Sequence, residues 1–252
     1  MSTHGDGAPA DALKLVYLAP RRRGLTGEAF RSRWHDHAQL TMRLPGLTSL
    51  ARHELHRVLT PDEDPGLPAA LFQPGALSSD YGGVGIVWLH GDLDALASQR
   101  ATDDAGAARS DALDTFGSDL GANVHVTLDE VVFDHGGTTL SIFSFLARKP
   151  ALTLQEFSGQ WRGFADAFLA HPELTRHCSS YVQAHRVPEG GDARFDGIAV
   201  MGFRDLTGVF GLLSEPTLAG ELFTEEEPFI DRAGGVVVLT RPDGALERDA
   251  AR

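Results

Sequence analysis

The sequence predicts an α+β fold in which two βαββαβ units, fused in one chain, close into a single barrel. Three observations predict it. The chain repeats itself, both copies show the same order of strand and helix patterns, and each predicted sheet leaves one apolar face that needs a cover. A length of 252 residues suits one large domain or two domains of about 125 residues each.

The repeat is visible in the order of the segments. Residues 13–25 (LKLVYLAPRRRGL) correspond to 140–152 (LSIFSFLARKPAL), and 26–34 (TGEAFRSRW) to 153–161 (TLQEFSGQW). Further pairs follow at 44–58 and 171–187, at 81–89 and 195–203, and at 125–133 and 234–242. Short β-branched and aromatic runs bounded by Gly and Pro indicate strands. Each half therefore has the order strand, helix, strand, strand, helix, strand, which is that of a ferredoxin-like unit.

The first helix of each half is predicted to begin after a threonine. Thr26 precedes Glu28 by two residues, and Thr153 precedes Glu156 by three, which is the capping-box spacing. Helices cover only one face of such a sheet, so two sheets can cover each other by closing a barrel. We expect a first unit over 12–135, a second unit over 136–242, and flexible tails at 1–11 and 243–252.

Two segments of the first half have no counterpart in the second. Residues 60–80 are rich in Pro and Gly and are predicted to be irregular, whereas residues 98–120 are rich in Ala and Asp and are predicted to be helical. Insertions of this length often serve as functional lids.

Composition narrows the classes of partner. The net charge of −13 disfavours nucleic acid and anionic membranes as partners. The single cysteine, Cys178, cannot form an internal disulfide and is typical of the cytoplasm. No apolar run approaches the ~20 residues of a membrane helix, and residues 1–12 do not have the pattern of a signal peptide. We expect a cytoplasmic protein with a small-molecule substrate, either a monomeric pseudo-dimer or a homodimer.

The run LVYLAPRRRGLTGEAFRSRWHDHAQL resembles the opening of EthD-family proteins, with an aromatic first strand, a basic turn, and Leu-Thr, Phe, Trp and His at the family spacing. Residues 225–240 (EEEPFIDRAGGVVVLT) resemble the acidic-Phe-Ile-Asp segment before the family's last strand. The resemblance covers 13–135 and 136–242 and implies the dimeric α+β barrel superfamily, so a tandem chain would be its own dimer. That superfamily includes cofactor-free monooxygenases, polyketide cyclases and dehydratases, muconolactone isomerases and haem enzymes, often in natural-product or catabolic pathways.

The helix after Thr26 carries the main candidate for catalysis. Phe30, Trp34, His37 and Thr41 recur at helical spacing and share one face. The matching face of the second half has Phe157, Trp161, Phe164 and Phe168, so a phenylalanine stands where the first half has His37. In the EthD pattern this histidine is the characteristic polar residue. Because imidazole titrates near neutral pH, we predict that His37 is a general base or acid; the alternative is a hydrogen-bonded histidine at the core edge.

Tyr17 in the first strand, which we pair with Phe145, is predicted to assist His37 by orienting a substrate oxygen; the alternative is a core tyrosine with its hydroxyl at the rim. Alternation in the second strand places Arg52, Glu54 and His56 on one face and His53 and Leu55 on the other. We pair the first of these faces with Tyr181, Gln183 and His185. The predicted substrate-binding residues are Phe30, Trp34, His56, Tyr81 and Trp88, although packing alone could explain Trp88.

The sequence has no HExxH, no CxxC, no P-loop and no dinucleotide fingerprint in its proper context, so we expect no cofactor and no metal. The resulting hypothesis is a cofactor-independent enzyme that moves a proton on a small oxygenated, polyketide-like or aromatic molecule. A dehydratase or cyclase, that is a lyase, is the first interpretation. A cofactor-free monooxygenase and a non-enzymatic barrel that binds a small ligand or haem remain as alternatives.

Overall fold

The computed structural model describes residues 13–72, 76–118, 120–191 and 193–248; the predicted tail 1–11 and residues 249–252 lie outside this part. Its strands form one closed antiparallel barrel in the order β1-β3-β2-β8-β5-β7-β6-β4. They are β1 (Lys14–Pro20), β2 (Leu50–Val58), β3 (Tyr81–Leu89), β4 (Val124–Asp134), β5 (Leu140–Leu146), β6 (Ser180–Arg186), β7 (Gly197–Phe203) and β8 (Val236–Glu247).

Helices pack on the outside of the barrel. They are α1 (Gly27–Arg43), α2 (Leu93–Arg100), α3 (Asp103–Phe116), α4 (Leu154–Leu169), α5 (Pro172–Thr175), α6 (Leu206–Ser214) and α7 (Phe223–Glu226). The two main helices begin as predicted, because Thr26 caps α1 and Thr153 forms a capping box with Glu156 at the start of α4. The segment 98–120 is largely helical, also as predicted. Within the described residues, no helix combines the length and apolar character needed to cross a membrane.

The long final strand of each half joins the two halves. β4 pairs with β1 through residues 124–127 and with β6 of the second half through residues 127–134. In the same way, β8 pairs with β5 through residues 236–240 and with β2 of the first half through residues 240–247. The expected tail from residue 243 is therefore strand as far as Glu247, because ladder hydrogen bonds to β2 hold it.

The core has three apolar layers. The barrel interior contains side chains from both halves, among them Val16, Ile86, Phe143, Phe145, Phe195 and Val238. A second layer lies between the outer face of the first half and helices α1 and α3. The third layer lies between the outer face of the second half and α4.

Glycines in the central strands let the two helix tryptophans approach the sheet. The Trp34 ring lies over Gly83 of β3, and the Trp161 ring lies over Gly197 of β7 at the matching position. A Cβ atom at either glycine would collide with the indole. The glycine-rich run at 81–85 is thus explained by packing.

Two predicted correspondences between the halves are wrong. Tyr17 belongs to the layer beneath α1, whereas Phe145 faces the barrel interior; the counterpart of Tyr17 is Ser144. His56 likewise contacts the interior Phe143, whereas His185 lies against Trp161 beneath α4. The connection from the first helix to the next strand is longer in the second half, and a one-residue shift moves every side chain of a strand to the other face.

Candidate active site

His37 lies at the contact between α1 and α3. Its residue is only 7% exposed, because the face of α1 that carries Phe30 and Trp34 packs on the sheet and α3 crosses beside it. Nδ1 of His37 is hydrogen-bonded to the Asp111 carboxylate at 2.7 Å. Burial lowers the pKa of His37 below its ordinary value, and Asp111 opposes this only in part. The imidazole is therefore neutral at pH 7, with its proton on Nδ1 and a basic Nε2.

Tyr17 lies beneath the same helices, but its hydroxyl is already engaged on both sides. It accepts a hydrogen bond from Nε1 of Trp34 at 2.8 Å and donates one to Nε2 of His53 at 2.8 Å. Burial raises the pKa of Tyr17 and lowers the pKa of His53 to about 3. Both groups stay uncharged. The Tyr17 hydroxyl therefore holds Trp34 and His53 in place, whereas the sequence predicted that it orients a substrate oxygen.

Phe116, the last residue of α3, contacts His37 and also lines an open cavity. Its ring centroid lies 5.3 Å from that of His37 and 6.2 Å from that of Tyr17. The same side chain lines a cavity of about 510 Å³ whose other walls are Arg21, Arg22, Arg23, Leu113 and Gly117. This cavity is broadly open to solvent. Phe116 thus connects the wall of the cavity to the neutral histidine.

The structure brings together four of the predicted site residues: Phe30, Trp34, His37 and Tyr17. It does not bring His56 and Trp88 to them. The His56 ring packs on Phe143 inside the barrel at 5.4 Å, and Nε1 of Trp88 donates to Glu54 at 3.2 Å. Strand alternation is the reason, because it directs these two side chains through the opposite face of the sheet from the helices.

Tyr81 lies apart from His37 as well. Its hydroxyl accepts a hydrogen bond from Arg194 at 3.0 Å. Tyr81 and Phe30 line a crevice of about 10 Å³, which is close to the space of one water molecule. This crevice is too small for an organic substrate.

Sequence reasoning missed Asp111 and Phe116. Both lie in the 98–120 segment, whose alanine and aspartate content indicated a helix. The available signal was the helical spacing that puts the two residues on neighbouring turns of α3. Nothing in that spacing tells which turn of α3 meets His37, since the contact depends on how two helices cross.

The second half has a different buried network in the equivalent layer. Gln183 donates hydrogen bonds to the Tyr181 hydroxyl at 3.1 Å and to the Trp161 carbonyl at 2.8 Å. Burial lowers the pKa of His185 to about 4. Phe164 occupies the position of His37 and packs on Phe229. The histidine–aspartate pair therefore belongs to the first half.

Three of the buried histidines, His37, His53 and His185, are poorly placed to hold a haem iron. His53 and His185 each share Nε2 with a neighbouring side chain, and Phe116 packs against the imidazole of His37 where a macrocycle would need space. The cavity beside Phe116 has no histidine in its walls. Among the described residues, no group of three or more His, Cys, Asp and Glu side chains could hold a metal ion.

Comparison with solved structures shows which known proteins have a similar fold. An anthrone oxidase-like protein superposes with a TM-score of 0.64 at 10% identity, over 99% of this chain and 97% of that chain. A proposed monooxygenase from Fusobacterium nucleatum superposes with a TM-score of 0.53 at 11% identity, over 97% of this chain and 98% of that chain. These identities show the fold alone. A comparison with curated proteins finds no match to the sequence.

The closed eight-stranded antiparallel barrel with helices outside it is similar in fold to these two proteins. Residues 22–116 match the model of the EthD domain, so this part of the chain is similar to that domain. The match begins in the basic turn and ends at Phe116, and it includes both His37 and Asp111.

Proposed function

We propose that the protein is an enzyme that removes a proton from a small oxygenated molecule with an acidic C–H or phenolic O–H group. The observation that carries this proposal is the His37–Asp111 pair, 2.7 Å apart, next to Phe116, which also lines an open cavity. The reaction needs no redox group of the protein, because the histidine alone can take up the proton.

The chemistry follows from the environment of His37. Asp111 fixes the tautomer and the orientation of the ring, so that Nε2 is the base. Proton uptake by Nε2 creates an imidazolium next to the Asp111 carboxylate, which stabilises the new charge. In this proposal the Phe116 ring, which packs edge-on against His37, rotates away to admit the substrate to Nε2, and the surrounding aromatic wall excludes water from the reacting atoms.

Tyr17 has a positioning role in this proposal. Its hydrogen bonds to Trp34 and His53 tie α1 to β1 and β2. They fix the helix face from which His37 projects. Phe30 and Trp34 supply the apolar wall of the site.

The step after deprotonation defines two candidate reactions. A carbanion or enolate can lose water or close a ring, which is a dehydratase or cyclase reaction of the lyase class. An electron-rich phenolate or anthranolate can instead react with oxygen, as in a cofactor-free monooxygenase. The similarity in fold to an anthrone oxidase-like protein and to a proposed monooxygenase supports this second candidate.

Hydrogen exchange at the acidic carbon of anthrone tests the proposal without knowledge of the natural substrate. The protein is incubated with anthrone in deuterated buffer under nitrogen, and loss of the C10 proton signal is followed by NMR. We expect the wild-type protein to accelerate exchange and His37→Gln to lose at least about 100-fold of that acceleration. His35→Gln is the matched control, because His35 is on the same helix but pairs with Asp243 at 3.2 Å.

Retained exchange in His37→Gln, or no acceleration by the wild type, would contradict the proposal. An oxygen electrode then separates the two candidate reactions. Oxygen consumption with anthrone that depends on His37 supports the monooxygenase. Equal conversion of a β-hydroxy ketone under air and under nitrogen supports the lyase.

We also infer that the chain is a duplication of a ferredoxin-like unit, with a first domain over 12–135 and a second from 136 to the end of β8. The strand orders β4-β1-β3-β2 and β8-β5-β7-β6 are the same for the two halves. The Trp34–Gly83 and Trp161–Gly197 contacts at matching positions support this origin.

A further inference from the structure

The turn between β1 and α1 gives the cavity a charge that contrasts with the rest of the protein. The chain has a net charge of −13, yet three consecutive arginines, Arg21, Arg22 and Arg23, line the same cavity as Phe116. A concave wall of one sign attracts ligands of the opposite sign. The cavity is therefore suited to an anion.

The three arginines differ in how far they are already occupied. Arg21 forms an ion pair with Glu63 at 2.8 Å, and Glu63 also pairs with Arg31 at 2.8 Å, so the Arg21 side chain is held in this contact. Arg22 donates to the Asp114 carbonyl in the last turn of α3 at 2.6 Å, which makes it a structural contact of that helix end. Arg23 is exposed and forms no ion pair with a carboxylate in the described part of the chain. Arg23 is thus the guanidinium that remains available for a ligand.

We propose that Arg23 binds the carboxylate of the substrate, so that the substrate is an aromatic or polyketide-like acid. Guanidinium and carboxylate match in a two-point hydrogen-bonded geometry. The apolar part of such a molecule would lie against Leu113 and Phe116, the apolar walls of the cavity. Rotation of Phe116 would then open a path from the acidic C–H or O–H group to His37. This inference rests on the proposed function and names the class of substrate for that site.

The test is a binding titration that requires no turnover. The probes are 1-hydroxy-2-naphthoate and its uncharged amide, 1-hydroxy-2-naphthamide, which have nearly the same shape. Isothermal titration calorimetry at low salt gives both Kd values. We expect the anion to bind about tenfold more tightly than the amide, and more weakly at about 0.2 M salt because the charges are screened.

Arg23→Gln should raise the Kd of the naphthoate about tenfold and leave the Kd of the amide within about twofold. Arg204→Gln is the matched control, because Arg204 is an exposed arginine at the end of β7, in the second half of the chain. It should change neither Kd. Both variants alter exposed side chains, and circular dichroism of each confirms that it is folded.

Equal affinity for the two probes, an unchanged Kd in Arg23→Gln, or no binding of either probe would overturn the assignment. Failure of the proposed function has a different signature. His37→Gln should leave the Kd of the naphthoate within about twofold, since it removes the base and not the anion contact. If hydrogen exchange fails while Arg23-dependent binding persists, the anion site stands and the proton-transfer proposal falls.

Discussion

At the scale of single residues, the site depends on keeping a histidine neutral inside the protein. Burial between α1 and α3 disfavours the charged imidazolium, while the Asp111 carboxylate favours it. The balance holds the pKa of His37 below its ordinary 6.5. A base in this state is ready at neutral pH and loses activity only when acid protonates it.

The pH dependence of Asp111→Asn tests this balance. Since Asp111 raises the pKa of His37, its removal should lower that pKa further and move the acid limb of kcat/KM to lower pH. The wild-type limb should already lie below pH 6.5. The maximal rate should fall by about tenfold or more, because the ring loses its orienting partner. The measurement is the rate of hydrogen exchange in anthrone between about pH 4.5 and about pH 8.

An acid limb at or above pH 6.5, or one that moves upward in Asp111→Asn, would contradict the role assigned to His37.

Of the site residues, His37, Trp34 and Phe30 could be predicted from helical spacing because they share one face of one helix. Asp111 could not, since its contact depends on the crossing of α1 and α3. Tyr17 could be identified as a candidate from the sequence, but its role could not. Its hydrogen bonds to Trp34 and His53 form only when β1, β2 and α1 pack together.

At the scale of elements, the end of α3 determines where Phe116 lies. Gly117 directly after it has φ of 75° and donates its backbone N–H to the Leu113 carbonyl at 2.9 Å. Such a left-handed residue ends a helix and strongly favours glycine. The left-handed conformation of Gly117 fixes the end of α3 against the arginine-rich connection between β1 and α1. It thereby also fixes the position of Phe116 beside His37.

Gly117→Ala should therefore reduce the free energy of unfolding by about 1–2 kcal/mol. Its Cβ would also lie 3.1 Å from Cγ of Arg22. Gly106→Ala in the same helix is the matched control, since its Cβ would meet only Arg109 at 4.0 Å. That substitution should stabilise the protein by about 0.5–1 kcal/mol. Urea unfolding of both variants gives the comparison, and a neutral Gly117→Ala would refute the role assigned to this turn.

The order of the elements was predictable, because it follows from hydrophobic periodicity and from threonine caps that act within a few residues. The residue-by-residue correspondence between the two halves was harder to predict from the sequence. The HRV tripeptides at 56–58 and 185–187 suggested an alignment, but the structure shifts β6 by one residue relative to it. Because side chains alternate between the two faces of a strand, a shift of one residue reverses the face on which each side chain lies. The sequence alone does not give the length of the connection that causes the shift.

At the scale of the whole molecule, neither half has a complete sheet without the other. β4 pairs with β6 of the second half over residues 127–134, and β8 pairs with β2 of the first half over residues 240–247. The apolar residues of the barrel interior come from both halves. Separation would expose these residues and two unpaired strand edges, which promotes association.

Fragments 1–136 and 137–252 expressed separately should therefore not be stable monomers. Size-exclusion chromatography with light scattering and urea unfolding measure this, and co-expression of the two fragments should restore a folded one-to-one complex. Two well-folded monomeric halves would refute the shared barrel.

The central claim is that one half of this barrel carries out proton transfer, through His37. The most direct measurement is the rate of anthrone hydrogen exchange at pH 7 in three folded proteins: wild type, His37→Gln and His185→Gln. His185 is the buried histidine beneath α4 in the second half. We expect loss of exchange in His37→Gln and a wild-type rate in His185→Gln. Loss in His185→Gln with retention in His37→Gln would place the working site in the other half and contradict the central claim.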